Sequence, residues 1–254
     1  MSSPQVPTRV AVTGAAGFLG RTLSSCLAKH FQLRTLDVEP VAGDWEKIVG
    51  SAANLDDALA LCDGCSHLVI AHMAPNRPEI YGTPTIPFDV NVKGVANLFH
   101  AASVHGIKRV VLMSSTAVVS GHLEAGQFLE RDLPESPLNT YALTKALQES
   151  IAKFYHERKG IEVAAFRPAH ICDEDTLVDK YGKQLSYANW VMIDPRDLAE
   201  GVRLALTVPE LKYQTFYILG HLEAETHADL KHTFEFLGWR PQHRFEHHPQ
   251  HVSA

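Results

Sequence analysis

The chain has 254 residues, long enough for one large α/β domain or two small ones. Hydrophobic residues make up 45% of it and charged residues 20%, a balance that supports a substantial core and excludes wholesale disorder. Its 23 Lys and Arg against 29 Asp and Glu leave a formal charge of −6, which argues against nucleic-acid or anionic-membrane partners, since both need a basic patch. No uncharged apolar run approaches the roughly 18 residues of a membrane span. Met1-Ser2-Ser3-Pro4-Gln5-Val6-Pro7 lacks the basic-then-apolar order of a signal peptide, so a cytoplasmic protein is expected.

In chain order, Arg9-Val10-Ala11-Val12-Thr13 reads as a short buried strand. Gly14-Ala15-Ala16-Gly17-Phe18-Leu19-Gly20 follows, and a helix is predicted from there to about His30, with Leu19, Leu23 and Leu27 on one face. In such a strand–turn–helix, Gly14 permits the tight turn, Gly17 lets the main chain approach a phosphate and Gly20 lets the helix pack on the strand. The helix start then offers N–H groups to a pyrophosphate. A second strand, Gln32-Leu33-Arg34-Thr35-Leu36, ends in Asp37. An acid about 20 residues beyond the glycines is placed to accept from the adenosine ribose hydroxyls. Its charge repels a 2′-phosphate, which favours NAD over NADP.

Further strands are predicted at His67–Ala71, Lys108–Met113 and Ile161–Phe166, and helices at Val90–His105, Leu138–Glu157 and from Pro195 to about Thr207. Their alternation predicts a doubly wound, Rossmann-type parallel sheet covered on both faces, in one domain spanning 1–254. The four cysteines are too few and scattered for a disulfide framework. Cys62 and Cys65 have the C-x-x-C spacing of redox and zinc sites, but the pair stands alone on a Gly-containing turn. An ordinary connection is expected.

Ser114-Ser115-Thr116 follows the strand ending at Met113, placing hydroxyls at the carboxyl edge of the sheet, where doubly wound folds bind ligands. Downstream, Tyr141 and Lys145 fall one turn apart on one helix face. A phenol is a poor base at neutral pH, and an adjacent ammonium favours its phenolate. Ser115 or Thr116 then hydrogen-bonds the substrate oxygen. With Arg167-Pro168, these motifs resemble, over about residues 8–240, the extended short-chain dehydrogenases/reductases, the NAD-dependent epimerase/dehydratase group. The resemblance implies a bound NAD and hydride transfer at a sugar carbon. It makes Tyr141 the acid/base and Lys145 its partner and ribose ligand, and by register it matches Thr116 to the family's Ser/Thr, with Ser115 next. It also implies cofactor contacts from Gly14, Ala16, Gly17, Phe18, Leu19, Gly20, Asp37, His72-Met73-Ala74, Asn91 and Pro168, and a homodimer through the helices at about 90–105 and 138–157. Where the family usually carries an acid near the adenine, this chain has Gly50-Ser51.

Between Pro168 and Pro195 lie only 26 residues, Ala169 to Asp194, too few for a lobe gripping a nucleoside diphosphate. A reduced C-terminal substrate region is expected, with short insertions at about 169–194 and 215–245. The compact build is most similar to the uronate dehydrogenases, which implies a small sugar or sugar acid as substrate. Their carboxylate-binding arginine is matched by Lys183, which makes Lys183 a substrate candidate with Thr116 and Tyr187. Tyr187 and Trp190 either stack on a sugar face or plug the shortened loop. His243, His247, His248 and His251 lack close acidic or cysteine partners, and Asp173-Glu174-Asp175 reads as a solvated loop, so no metal site is expected. A sugar epimerase or dehydratase that retains NAD, and a non-catalytic NAD(H)-sensing module, are the alternatives to a dehydrogenase.

Overall fold

The computed structural model describes residues 8–75 and 77–250. The reading of residues 1–7 and His251 of the histidine tail lie outside the described residues.

The elements run β1 (Arg9–Thr13), α1 (Phe18–Leu27), β2 (Gln32–Asp37), β3 (Glu46–Val49), α2 (Leu55–Cys62) and β4 (His67–Ile70). Then come the short α3 (Pro78–Tyr81) and α4 (Thr85–Pro87), a π-helical turn Phe88–Lys93, α5 (Gly94–Val104) and β5 (Arg109–Met113). A 3-10 turn at Thr116–Val119 leads to α6 (Ser120–Glu124), α7 (Thr140–Lys159) and β6 (Glu162–Pro168). The chain closes with the short β7 (His170–Ile171) and β8 (Met192–Ile193), α8 (Pro195–Thr207), β9 (Tyr213–Ile218) and α9 (Lys231–Leu237).

Among the described residues, seven strands form one sheet in the order β3-β2-β1-β4-β5-β6-β9, every neighbouring pair parallel. Parallel strands covered on both faces read as nearly continuous apolar runs, and β1, β4 and β5 are buried almost throughout. On one face Leu23, Leu27, Leu198, Val202 and Trp239 pack together. On the other, Leu61, Leu98, Phe99 and Ala152 do so. Trp239 is fully enclosed and its Nε1 donates to the Asp197 main-chain oxygen at 2.9 Å, so truncating it to Ala costs about 3–5 kcal/mol.

The strand order reverses between β1 and β4, and the crevice at their carboxyl ends is where such sheets hold ligands. The glycine turn shapes that crevice. Gly14 adopts φ +72°, and a Cβ on Gly20 would meet the Gly14 oxygen at 1.9 Å, so α1 reaches the strand only without a side chain there. Asn139 caps α7 by accepting from the Ala142 N–H, which places Tyr141 in the first turn.

Several expectations are adjusted. Helix α1 ends at Leu27 rather than His30, and β6 extends to Pro168. The predicted helix at 90–105 begins with the π-helical turn. The segment 215–245 is not a substrate insertion: Tyr213–Ile218 is the edge strand of the main sheet, and Phe234, Leu237 and Trp239 belong to the core. From the segment after Pro168, Ala169, Ile171, Lys180 and Tyr181 reach the crevice. Cys62 and Cys65 are free thiols within the core, pushed up by burial to about 12 and about 11, values that suit neither redox nor metal chemistry. No helix among the described residues is long and apolar enough to cross a membrane.

Candidate active site

Two cavities of about 300 and about 360 Å³ adjoin along the carboxyl ends of the strands and share Gly14, Gly17, Ala71, Met73 and Pro75. Together they form a trough with a different chemistry at each end.

At one end stand Ala16, Asp37, Gly50 and Ser51. Asp37 Oδ2 accepts from the Ala16 N–H at 2.9 Å and Oδ1 from the Glu39 N–H at 3.1 Å. The carboxylate thus braces the glycine turn while keeping lone pairs for a ribose. Phe18, Leu19 and Gly20 line the middle, where α1 begins on an extended Gly17 with no side-chain cap. Uncapped first-turn N–H groups and a positive dipole end form a phosphate cradle. A diphosphate flanked by two nucleosides fits this donor set.

His72, Met73 and Ala74 follow β4 as expected, but His72 is committed to the fold. Its Nε2 donates to the Val90 oxygen at 3.0 Å, which leaves Nδ1 to accept from the Thr13 hydroxyl at 2.9 Å. Burial pushes it down to about 4, so the ring is neutral. Asn91 lines neither cavity. Fully buried, it accepts from the Ala74 N–H at 2.7 Å and donates to Tyr81 Oη at 3.2 Å and Thr144 Oγ1 at 3.0 Å. It braces the loop after β4 against α7.

At the other end Ser115, Tyr141, Lys145, Pro168 and Lys180 converge. Lys145 Nζ donates to the Met113 oxygen at 2.6 Å and to Gln148 Oε1 at 3.1 Å, and lies 6.0 Å from the centre of the Tyr141 ring. Burial first, and then the charge of Lys180, push Lys145 down to about 7. Beneath the cavity Arg167 grips Glu149 with two hydrogen bonds of 2.9 and 2.7 Å, and Ser114 donates to the same carboxylate at 2.5 Å. Ser115 caps the 3-10 turn and faces the cavity, whereas Thr116 is buried and does not line it. Ser114 lines the cavity as well, but its hydroxyl is given to Glu149, which leaves Ser115 to face the open space.

The substrate candidates need correction too. Lys183 is exposed, and Tyr187 lines a separate cavity with Trp190, whose ring stacks on His227 at 4.3 Å. Neither lines the trough. The lysine that does is Lys180, three residues earlier. Asp179 Oδ1 accepts from the N–H groups of Tyr181 and Lys183, both at 2.9 Å, and Oδ2 pairs with His170 Nε2 at 3.0 Å. This turn carries Lys180 inward and leaves Lys183 outside. Burial opposes the charge of Lys180, but Tyr141, Tyr181 and Asp179 outweigh it and hold its pKa above the usual lysine value. The Asp179-Lys180-Tyr181-Gly182 turn signature is the sequence signal for this placement.

Among the described residues no group of three or more His, Cys, Asp or Glu is placed to hold a metal ion. His243 instead pairs with Asp197 at 3.0 Å, and Glu174 accepts from the Phe245 N–H at 2.6 Å.

The model of the NAD dependent epimerase/dehydratase family matches residues 10–180. The chain belongs to this family. It is accordingly an enzyme, and its cofactor is NAD. It is 29% identical to a uronate dehydrogenase of Pseudomonas syringae pv. tomato over 217 residues, covering 82% of this chain and 73% of that one. It is 26% identical to an L-arabinose 1-dehydrogenase (NAD(P)(+)) of Haloferax volcanii over 252 residues, covering 92% and 96%. In fold it is similar to the uronate dehydrogenase from Agrobacterium tumefaciens, solved as a mutant complexed with NAD. That match has a TM-score of 0.75 at 23% identity over 94% of this chain and 86% of the other.

Proposed function

We propose that this family member is an NAD-dependent dehydrogenase of a small sugar or sugar acid, oxidising a hydroxyl-bearing carbon. The observation that carries the reading is the meeting of Ser115, Tyr141, Lys145 and Lys180 around one cavity of about 300 Å³. The likeness to uronate and arabinose dehydrogenases supports the same substrate class.

Asp37 holds the adenosine ribose, the start of α1 holds the diphosphate, and Lys145 holds the second ribose. Bound in this way, the nicotinamide supplies the hydride acceptor. Ser115 donates a hydrogen bond to the substrate oxygen and fixes its distance from Tyr141. Tyr141, beside the Lys145 and Lys180 side chains, is placed to take the hydroxyl proton, and the bound nicotinamide would take the hydride from the carbon. Lys180 pairs with an anionic substituent of the substrate, as a point charge rather than a fork. The short 169–194 segment and the main sheet act as one domain. Two copies associate through α5 with its preceding π-helical turn and α7, where Val92, Ala96, Leu147 and the half-exposed Phe154 border an apolar groove. The protein works in the cytoplasm.

The test is a panel of free aldoses and hexuronates with NAD, followed by NADH absorbance. NADH formation with at least one member is expected, and silence across the panel would overturn the reading. With the best substrate, Tyr141→Phe is expected to lower kcat by at least about a thousandfold, combining loss of acid–base catalysis with loss of orientation. Its NAD affinity, measured by fluorescence titration, stays near wild type.

A further inference from the structure

Gln148 has no place in the tyrosine–lysine motif, yet it is completely buried and both ends of its amide are engaged, one of them by Lys145. Its Oε1 accepts from Lys145 Nζ at 3.1 Å, and its Nε2 donates to the main-chain oxygen of Asn91 at 2.8 Å. Tyr141, Lys145 and Gln148 follow one another on α7 at spacings that share a helix face. Asn91 lies in the π-helical turn, and its own side chain holds the Ala74 N–H in the loop that lines the trough. A continuous path of hydrogen bonds therefore runs from the catalytic ammonium to the cofactor loop, and its middle link is one glutamine side chain.

We propose that Gln148 is a positioning residue of the catalytic pair, fastening the Lys145 ammonium to the main chain of Asn91 so that lysine and cofactor loop keep one register. An ammonium has three donors, and the Met113 oxygen and Gln148 take two of them, leaving one to face the trough. Both acceptors are neutral and leave the charge uncompensated. The ionisable groups around Lys145 are Tyr141 and Glu149 on α7, His72 after β4, and Lys180 from the segment between β7 and β8. Glu149 is engaged by Arg167 and Ser114, and His72 is neutral. The residue at 148 is thus a strong lever on Lys145. This inference rests on Lys145 binding the cofactor ribose as an ammonium.

NAD affinity, titrated by intrinsic fluorescence against pH, needs no sugar substrate and separates the two claims. In the wild type affinity falls as pH rises through about 7, where Lys145 loses its charge, and Lys145→Met abolishes the dependence. Gln148→Glu moves the midpoint upward by about 1–3 pH units, because a carboxylate replaces the amide against the ammonium. Gln148→Met moves it downward and weakens NAD binding roughly tenfold, the scale of one hydrogen bond to a charged group. It carries the test alone if the Glu variant does not fold. A merely structural glutamine would lower the melting temperature with the midpoint unmoved. A wild-type midpoint in the Gln148 variants, beside a pH-dependent wild type, overturns this inference alone. A flat wild-type profile overturns the ribose-binding role of Lys145 as well.

Discussion

At the scale of single residues, charge and shape can be separated at both ends of the trough. On the proposed reading Asp37 does two jobs, since its carboxylate accepts from the Ala16 N–H and would present negative charge to the cofactor. An Ala there would remove both. Asp37→Asn keeps an oxygen for the Ala16 N–H and removes only the charge, so the preference for NAD over NADP should relax about tenfold or more, on the scale of one charged hydrogen bond. Comparing kcat/KM for the two cofactors checks this, and an unchanged ratio would place Asp37 outside cofactor selection. At the far end, Lys180→Met should raise KM for a hexuronate about tenfold or more while leaving KM for a neutral aldose nearly unchanged. Equal effects on both substrates would show that Lys180 shapes the cavity without reading charge. Lys183→Met serves as the control, because that side chain is exposed and should leave both values alone.

Between elements, the bidentate Arg167–Glu149 pair ties β6 to α7, Ser114 brings in the end of β5, and Tyr217 on β9 accepts from Arg167 at 3.4 Å. These are the elements that carry Pro168, Lys145 and Ser115. Removing one partner of such a pair strands a buried charge, so Arg167→Met should lower unfolding stability by about 3–5 kcal/mol. Ser114→Ala, which leaves the ion pair intact, should cost only about 1 kcal/mol. Urea unfolding of both variants checks the ranking, and equal losses would mean that the pair is not the brace. The same distinction explains what is legible without coordinates. The β1 run, the glycine turn, Asp37 and the Tyr141–Lys145 spacing are local patterns, and each stands in the structure where its pattern puts it. Residues whose position depends on a distant partner cannot be read in this way. Lys180 lines the cavity and Lys183 does not because the buried Asp179 carboxylate folds the turn, Ser115 lines it and Thr116 does not because of a 3-10 cap, and Gln148 announces itself only through Asn91 across the core. Strand β9 reads as a substrate segment because its first half is only partly buried and lacks the continuous apolar run of β5.

Over the whole molecule, desolvated bases, among them His67, His72 and Lys145, make stability depend on pH in two separate windows. His72 is held down to about 4, chiefly by burial, and His67 to about 4 by burial and then Arg109, against 6.5 for a free imidazole. A base with a lowered folded pKa binds fewer protons in the folded state than in the unfolded state, so stability rises with pH across that gap. The contribution of both histidines is therefore complete above about 6.5 and lost as pH falls towards 4. Lys145, lowered from 10.5 to about 7, adds the same sign of slope between those values. Unfolding free energy from urea titrations should accordingly climb from pH 4 to 6.5 through the histidines and again between about 7 and 9 through the lysine, until the raised thiols of Cys62 and Cys65, which keep their protons in the folded state, reverse the slope above 9.0. Two variants assign the slopes. His72→Gln lowers stability at every pH by losing the Thr13 and Val90 contacts, yet lessens the slope only in the acid window, where His67 still contributes. Lys145→Met removes the buried amine and flattens only the alkaline one. Curves for the two variants that ran parallel to wild type throughout would show that neither base changes its proton affinity on folding, and the neutral His72 bridge between β1 and the π-helical turn would have to be abandoned.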